Sequence, residues 1–327
     1  MLHRSPTALT RLIVLMVAVL LGGCASDDES TTRDTSSHTA PDTEAGTGPT
    51  TTSPPAPEPA DACEGLQVVS ESPVRTDPPL TEISGAVASE RTPGAFWVHE
   101  DSANPTVLVE IDSDGHQVSR WDVPSIEMVD WEDIAALVDE DGTRHLFIGD
   151  IGDNLHRRES TQLLRLPEPG PDDVPGATAV PQIIELRSPL GPADAEALLL
   201  DPLSGDLVVV TKSVRGMGEV LVAPGGAWAG DGAVLDLVHA GTLELGPVEA
   251  VLAGDVAADG LLVAVRTPAR VLLWERHPDD DLATTLLERS RCRGPSRFDI
   301  FGEALAFTND GYVFLGEGDP TDLVVVR

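Results

Sequence analysis

The sequence predicts an all-β fold, a β-propeller of five blades closed by a strand from the N-terminal side. Three observations predict it. A hairpin segment recurs through the chain at roughly fifty-residue spacing, and each copy carries a turn glycine. Further β-rich runs separate the copies. No segment carries a convincing helical period, and four short strands per repeat are what a propeller blade contains. A six-bladed ring and an irregular β-sandwich stay open on the same observations.

In order, the copies read ISGAVASERTPGAFWVHEDSAN, WEDIAALVDEDGTRHLFIGDIGDN, AEALLLDPLSGDLVVVTKSVRG, VEAVLAGDVAADGLLVAVRTPAR and GEALAFTNDGYVFLGEGDP. Their aligned anchors are Gly85, Glu132, Glu196, Glu249 and Glu303, and their turn glycines are Gly94, Gly142, Gly205, Gly260 and Gly311. Glycine there suits the positive φ of a tight hairpin. The intervening β-rich runs are 106–111 and 117–121, 163–166 and 182–186, 220–222 and 234–238, and 271–274 and 284–287. A single run, 323–326, follows the fifth copy, so 66–70 is assigned as its outer strand and closes the ring. The longer second interval is read as a loop insertion over 167–181 rather than a sixth blade.

Ahead of this domain, Arg4 and Arg11 accompany an apolar run over 12–21 that is shorter than the ~20 residues a bilayer span needs. Leu21-Gly22-Gly23-Cys24 resembles a bacterial lipobox, which implies a lipoprotein signal peptide over 1–23 and lipidation of Cys24. Residues 24–61 are rich in Thr, Ser and Pro and too poor in apolar side chains to offset chain entropy, the composition of a disordered tether. The propeller domain then spans 62–327. The expected location is the cell surface, lipid-anchored to the outer side of the cytoplasmic membrane, with that anchor as the sole membrane contact. Cys63 and Cys292 lie near the two ends of the domain. An even remainder of cysteines in an exported protein points to a disulfide, and ring closure brings the same two positions together.

A formal charge of −34 argues against nucleic acid and anionic lipid as partners. The expected partner is a small-molecule or protein ligand, taken by a monomer. Lys212 is the single lysine in the chain, so its position is informative.

In a propeller, the first strand of each blade lines the channel, and its start shares a face with the end of the second strand. Strand starts bring Glu132, Asp133, Glu196, Glu249 and Glu303 to that face, and strand ends bring Glu100, Asp101, Asp150, Asp153, Lys212, Arg266 and Glu317. So many carboxylates around a narrow opening repel one another unless cations offset them. Calcium takes six to eight oxygen ligands in flexible geometry and fits an oxygen-rich rim. Zinc fits poorly, because the rim has no thiol and His99 is its one imidazole. The expected metal ligands are Glu132, Asp133, Asp150 and Asp153. The expected ligand-binding set is Glu196, Lys212, Glu249, Arg266, Glu303 and Glu317, with Glu132 and Lys212 as catalytic candidates. The structural alternative is that the glutamates staple neighbouring blades and that Asp150 and Asp153 organise their own loop.

The combination WEDIA, GDIGDN, EALLLDPLSGDLVVVTK and GEALAFTNDG, spread from Ser84 to Glu317, resembles bacterial secreted propellers described as phytase-like or esterase-like. The resemblance implies a calcium cluster on the central face that binds phosphate and activates water, with Glu132, Asp150, Asp153 and Lys212 as the corresponding positions. Two function classes follow. One is a lipid-anchored propeller that binds a ligand at its acidic face with calcium; the other is a calcium-dependent phosphoester hydrolase. The G-x-S-x-G and H-E-x-x-H patterns and the phosphate-cradling glycine loop are absent from the sequence.

Overall fold

The structure, a computed structural model, describes residues 62–327 apart from 213–214, 227–229, 248, 290 and 319. The expected signal peptide, Cys24 and tether lie outside the described residues. Strand β1 (Val68–Pro73) is followed by blade 1, made of β2 (Ile83–Ala88), β3 (Phe96–Glu100), β4 (Val107–Ile111) and β5 (Gln117–Asp122). Blade 2 comprises β6 (Trp131–Val138), β7 (Arg144–Asp150), β8 (Thr161–Pro167) and β9 (Gln182–Arg187). Blade 3 holds β10 (Ala195–Leu200), β11 (Leu207–Thr211) and β12 (Met217–Ala223). A short strand, β13 (Val234–Asp236), precedes its outer strand β14 (Val238–Glu244). Blade 4 is β15 (Ala253–Val256), β16 (Leu262–Thr267), β17 (Arg270–Glu275) and β18 (Arg291–Gly294). Blade 5 is β19 (Ala304–Thr308), β20 (Gly311–Leu315) and β21 (Asp322–Val326), completed by β1.

Closure follows the expected route. β1 pairs antiparallel with β21, from Val68 opposite Val326 to Pro73 opposite Asp322. Cys63 and Cys292 are bonded, 229 residues apart in sequence, and Cys292 lies within β18. Joining so long a loop contributes about 5 kcal/mol in the chain-entropy model.

The core sits between blades. Inner strands such as β10 (AEALLL) and β11 (LVVVT) are buried throughout because a neighbouring sheet covers each face, and such strands read as continuous apolar runs. Five apolar clusters fill the five interfaces, with Trp97 and Trp131 between blades 1 and 2 and Trp274 between blades 3 and 4. The interface between blades 5 and 1 is among them, so the ring is closed at five. The insertion over 167–181 stays within blade 2 and reaches back to blade 1. There Glu168 accepts from Trp97 Nε1 and from Arg144 Nη1, each at 2.7 Å.

Two outer strands differ from expectation. Residues 234–236, read as part of the outer strand of blade 3, instead run parallel to β9 of blade 2 and bury Leu235 in the core between those blades. Residues 284–287, read as a strand, lie in helix α1 (Leu282–Glu288). Asp281 caps that helix by accepting from Thr284 N, and Leu282 and Leu286, one turn apart, enter the same core as Trp274. Among the described residues no helix is long and apolar enough to cross a membrane.

Candidate functional site

The channel mouth is built by β-bulges. In blades 1, 2 and 3 the inner strand slips against its partner by one residue, which leaves Ser84, Glu132 and Glu196 as the extra residues. A bulge re-aims the side chain it carries. In blade 5, Glu303 holds the matching place, one residue before β19. In blade 4 that place belongs to Leu252, whose N–H bonds to Arg266 O at 2.9 Å. Glu249 therefore does not join the ring; it pairs with Arg270 Nη2 at 3.3 Å outside the mouth.

Glu132, Glu196 and Glu303 bring one carboxylate oxygen each within 4.8 Å of the others, and Asp130, Glu132 and Asp194 do the same. Glu132 is common to both groups. Ser84 Oγ donates to Glu132 Oε2 at 3.2 Å from the next blade. Lys212 Nζ lies 2.5 Å from Glu196 Oε1 and reaches Glu303 Oε1 at 3.4 Å, two blades away. Glu196 Oε2 is buried without a hydrogen-bond partner. Gly152 backs the group of Asp130, Glu132 and Asp194: a Cβ there would overlap Glu132 Oε1 and fall 2.6 Å from Asp130 Oδ2. A wider tier surrounds these residues, where Asn104 Nδ2 donates to Glu82 Oε2 at 2.8 Å and to Asp101 Oδ1 at 3.0 Å.

The electrostatics follow from that crowding. Burial, then repulsion from Glu196, Glu303 and Asp130, holds the Glu132 acid well above its ordinary range. Burial and Glu303 do the same to Glu196, more than Lys212 offsets. Asp101 is pushed up to about 7 by burial and by Glu82, Glu303 and Asp130. Glu317 is pushed up to about 8 by burial, Glu303 and Asp101. Burial opposes the charge on Lys212, but Glu196 and Glu303 outweigh it and keep the ammonium protonated. One ammonium among so many carboxylates leaves protons or a further cation to neutralise the rest.

Other expected site residues are held elsewhere. Asp133 is fully buried and accepts from Ile134 N, Leu198 N and Gly254 N at 2.9, 2.9 and 3.2 Å, which staples blades 2, 3 and 4. Asp150 accepts from Val129 N and Asp130 N at 3.1 and 3.0 Å and pairs with Arg158 at 2.8 Å. Asp153 accepts from Arg157 N and Arg158 N, both at 2.9 Å. Of the expected metal ligands Glu132 alone belongs to one of the two acidic groups; the other three are tied by N–H donors, as Asp194 Oδ1 also is by Asp153 N at 2.7 Å. Arg266 is buried between blades 4 and 5. Buried His99, pushed down to about 4 by desolvation, stays neutral as it packs edge-on to Trp131 at 5.4 Å.

The sequence reading missed Asp130, Asp194 and Glu82. A signal for them existed. Asp130-Trp131-Glu132 and Asp194-Ala195-Glu196 repeat an acid two residues before the anchor, and Glu82-Ile83-Ser84 keeps its first member.

The donor set fits a hard cation. It is made of carboxylates alone, one oxygen is buried without a donor, and no thiol or free imidazole competes. No family model and no curated protein matches the chain. Among solved structures it is similar to the PQQ-bound aldose sugar dehydrogenase from Streptomyces coelicolor, with a TM-score of 0.46 and 11% identity over 82% of this chain and 100% of that one. It is also similar to the Dos1 propeller, with a TM-score of 0.36 and 11% identity over 72% of this chain and 55% of that one. Likenesses this remote carry no argument about chemistry. The propeller is evident from the chain's own five sheets.

Proposed function

We propose that the chain is an exported, lipid-anchored propeller that binds a hard divalent cation, calcium by ligand chemistry, at its central mouth and holds a ligand through it. The observation that carries this reading is the position of Glu132, shared by two three-carboxylate groups that have only Lys212 between them. Lys212 serves the group of Glu196 and Glu303, while among the described residues no lysine or arginine forms an ion pair with Asp130, Glu132 or Asp194. Asp130, Glu132 and Asp194 would hold the ion, with Gly152 leaving room for it. Bound there, a calcium ion supplies coordination sites for ligand oxygens. Export and anchoring rest on Arg4, Arg11, the apolar run 12–21 and the lipobox ending at Cys24. The direct test is thermal unfolding of the full chain with calcium, magnesium or chelator. A ligand at a hundred times its dissociation constant adds about 2.7 kcal/mol. The midpoint is expected to rise with calcium, and equal midpoints in calcium and chelator would remove the metal.

A second reading, phosphoester hydrolysis, is favoured by Lys212, which is partly exposed at the mouth within reach of Glu303 and bears a full positive charge. In it Lys212 steadies charge on a phosphoryl oxygen and Glu132 takes a proton from water. Turnover of phosphomonoesters or phosphodiesters with calcium, lost in Glu132→Gln, would select it over binding alone.

A further inference from the structure

Two arginines in the domain are almost wholly buried, and they differ in one respect. Arg276 is matched: Nη1 and Nη2 donate to the two oxygens of Asp201 at 2.7 and 2.6 Å, and Nε donates to Asp280 O at 2.9 Å. Arg266 is 1% exposed, and its Nη1 donates to Ala304 O at 3.0 Å and to Leu315 O. Its Nε is buried with no partner, and the nearest carboxylate oxygen to Nη2, from Asp299, is 3.9 Å away. Among the described residues, no carboxylate hydrogen-bonds to it. The free Nε–Nη2 edge is one that can grip a carboxylate with two parallel hydrogen bonds.

Asp299 stays off that edge for a local reason. Its Oδ1 accepts from Phe301 N at 3.0 Å, which ties the carboxylate into its own turn, and Asp299 N bonds to Pro268 O at 2.8 Å. A cavity of about 200 Å³ opens beside the guanidinium, lined by Arg266, Phe298, Asp299, Phe314, Glu317 and Pro320. The Phe314 ring lies 4.7 Å from the guanidinium carbon, and Phe298 stands 77% exposed at the rim. A side chain at Gly302 would overlap the guanidinium.

We infer that this cavity between blades 4 and 5 is a binding site for a small monocarboxylate with an apolar or aromatic body. The guanidinium edge takes the carboxylate, and Phe298, Phe314 and Pro320 take the body. A dianion such as phosphate is disfavoured by Asp299, which lines the same space, while Asp322 there is paired with Arg297 at 3.8 Å. Burial and Glu303 push Glu317 up to about 8, so at neutral pH it is protonated and adds a donor rather than a second repulsion. A bound carboxylate also gives a hydrogen-bonded counter-charge to an arginine whose nearest carboxylate, from Asp299, stands 3.9 Å off.

The test titrates the full chain with benzoate, its neutral isostere benzamide, and inorganic phosphate, each followed by thermal unfolding, with proton NMR of benzoate and benzamide and phosphorus NMR of phosphate. Benzoate is expected to bind saturably and raise the unfolding midpoint, while benzamide and phosphate do neither. Asp299→Asn removes a like charge and is expected to tighten benzoate about tenfold. Phe298→Ser, at an exposed position that does not endanger the fold, is expected to weaken it by a similar factor. Three results would overturn the inference: no saturable benzoate response, an equal response to benzamide, or binding only in Asp299→Asn. The last would mean that Asp299 itself fills the guanidinium edge in solution.

Discussion

Lys212 Nζ lies 2.5 Å from Glu196 Oε1, so the one lysine of the chain is the resident cation of its acidic mouth. Because the ammonium also reaches Glu303 from two blades away, it links blades 3 and 5 across the mouth. Removing one partner of a buried pair leaves the other uncompensated. Lys212→Met is expected to lower the stability of cation-free protein by about 2 kcal/mol, with protonation of the glutamates absorbing the remainder. Urea unfolding with chelator measures the loss. Added calcium should restore more stability to this variant than to the parent chain.

The pH dependence has a definite sign. Asp101 and Glu317 titrate at about 7 and about 8 in the folded protein, above the ordinary carboxylate range. The folded state therefore holds more protons than the unfolded state across this window. Stability without divalent cations should decline as pH rises from about 4, the unfolded carboxylate range, to about 8, where Glu317 ionises in the folded protein. A cation competes with those protons, so calcium should flatten the decline and bind more tightly at high pH. Chemical denaturation at several pH values, with and without chelator, checks both slopes.

Gly152 offers a change of a single methyl group. A Cβ at this position would overlap the carboxylates of Glu132 and Asp130. Gly152→Ala should lower cation affinity at least about tenfold, a loss of about 1.4 kcal/mol, while leaving the blades intact. Unaltered affinity with normal circular dichroism would mean that the ion, if bound, sits elsewhere.

Reduction of Cys63–Cys292 tests closure. The bond ties the segment ahead of β1 to β18, so reduction should destabilise the ring by about 5 kcal/mol in the chain-entropy model. A denaturation midpoint unaffected by a phosphine reductant, with both thiols shown by mass spectrometry to be free, would contradict that value.

The parts of this molecule legible in its sequence are those set by local chemistry. Gly94, Gly142, Gly205 and Gly260 adopt φ of 82°, 85°, 76° and 75°, as their hairpin turns require. The apolar runs of β10 and β11 announce strands covered on both faces. What was not legible depends on register. Glu249 resembles Glu303 in its surroundings, yet the pairing of Ala253 with Arg266 puts Leu252 at the mouth. Spacing to the turn held that information, because Leu252 precedes Gly260 by the same interval as Glu303 precedes Gly311. Asp133 follows Glu132 directly, and adjacent strand residues face opposite sides, so one enters the channel and the other the neighbouring blades. Residues 284–287 read as a strand because a short capped helix of seven residues and a short outer strand share the same apolar composition. The Asp281 cap was the discriminating feature.

The central claim is that the mouth holds a divalent cation on Asp130, Glu132 and Asp194. The most direct measurement is isothermal titration of the chelator-treated full chain with calcium, in the parent and in Glu132→Gln. The account predicts saturable binding of calcium in the parent and its loss in Glu132→Gln, with the same unfolding cooperativity in both. Heats no larger than dilution up to millimolar calcium, or equal binding in Glu132→Gln, would contradict it.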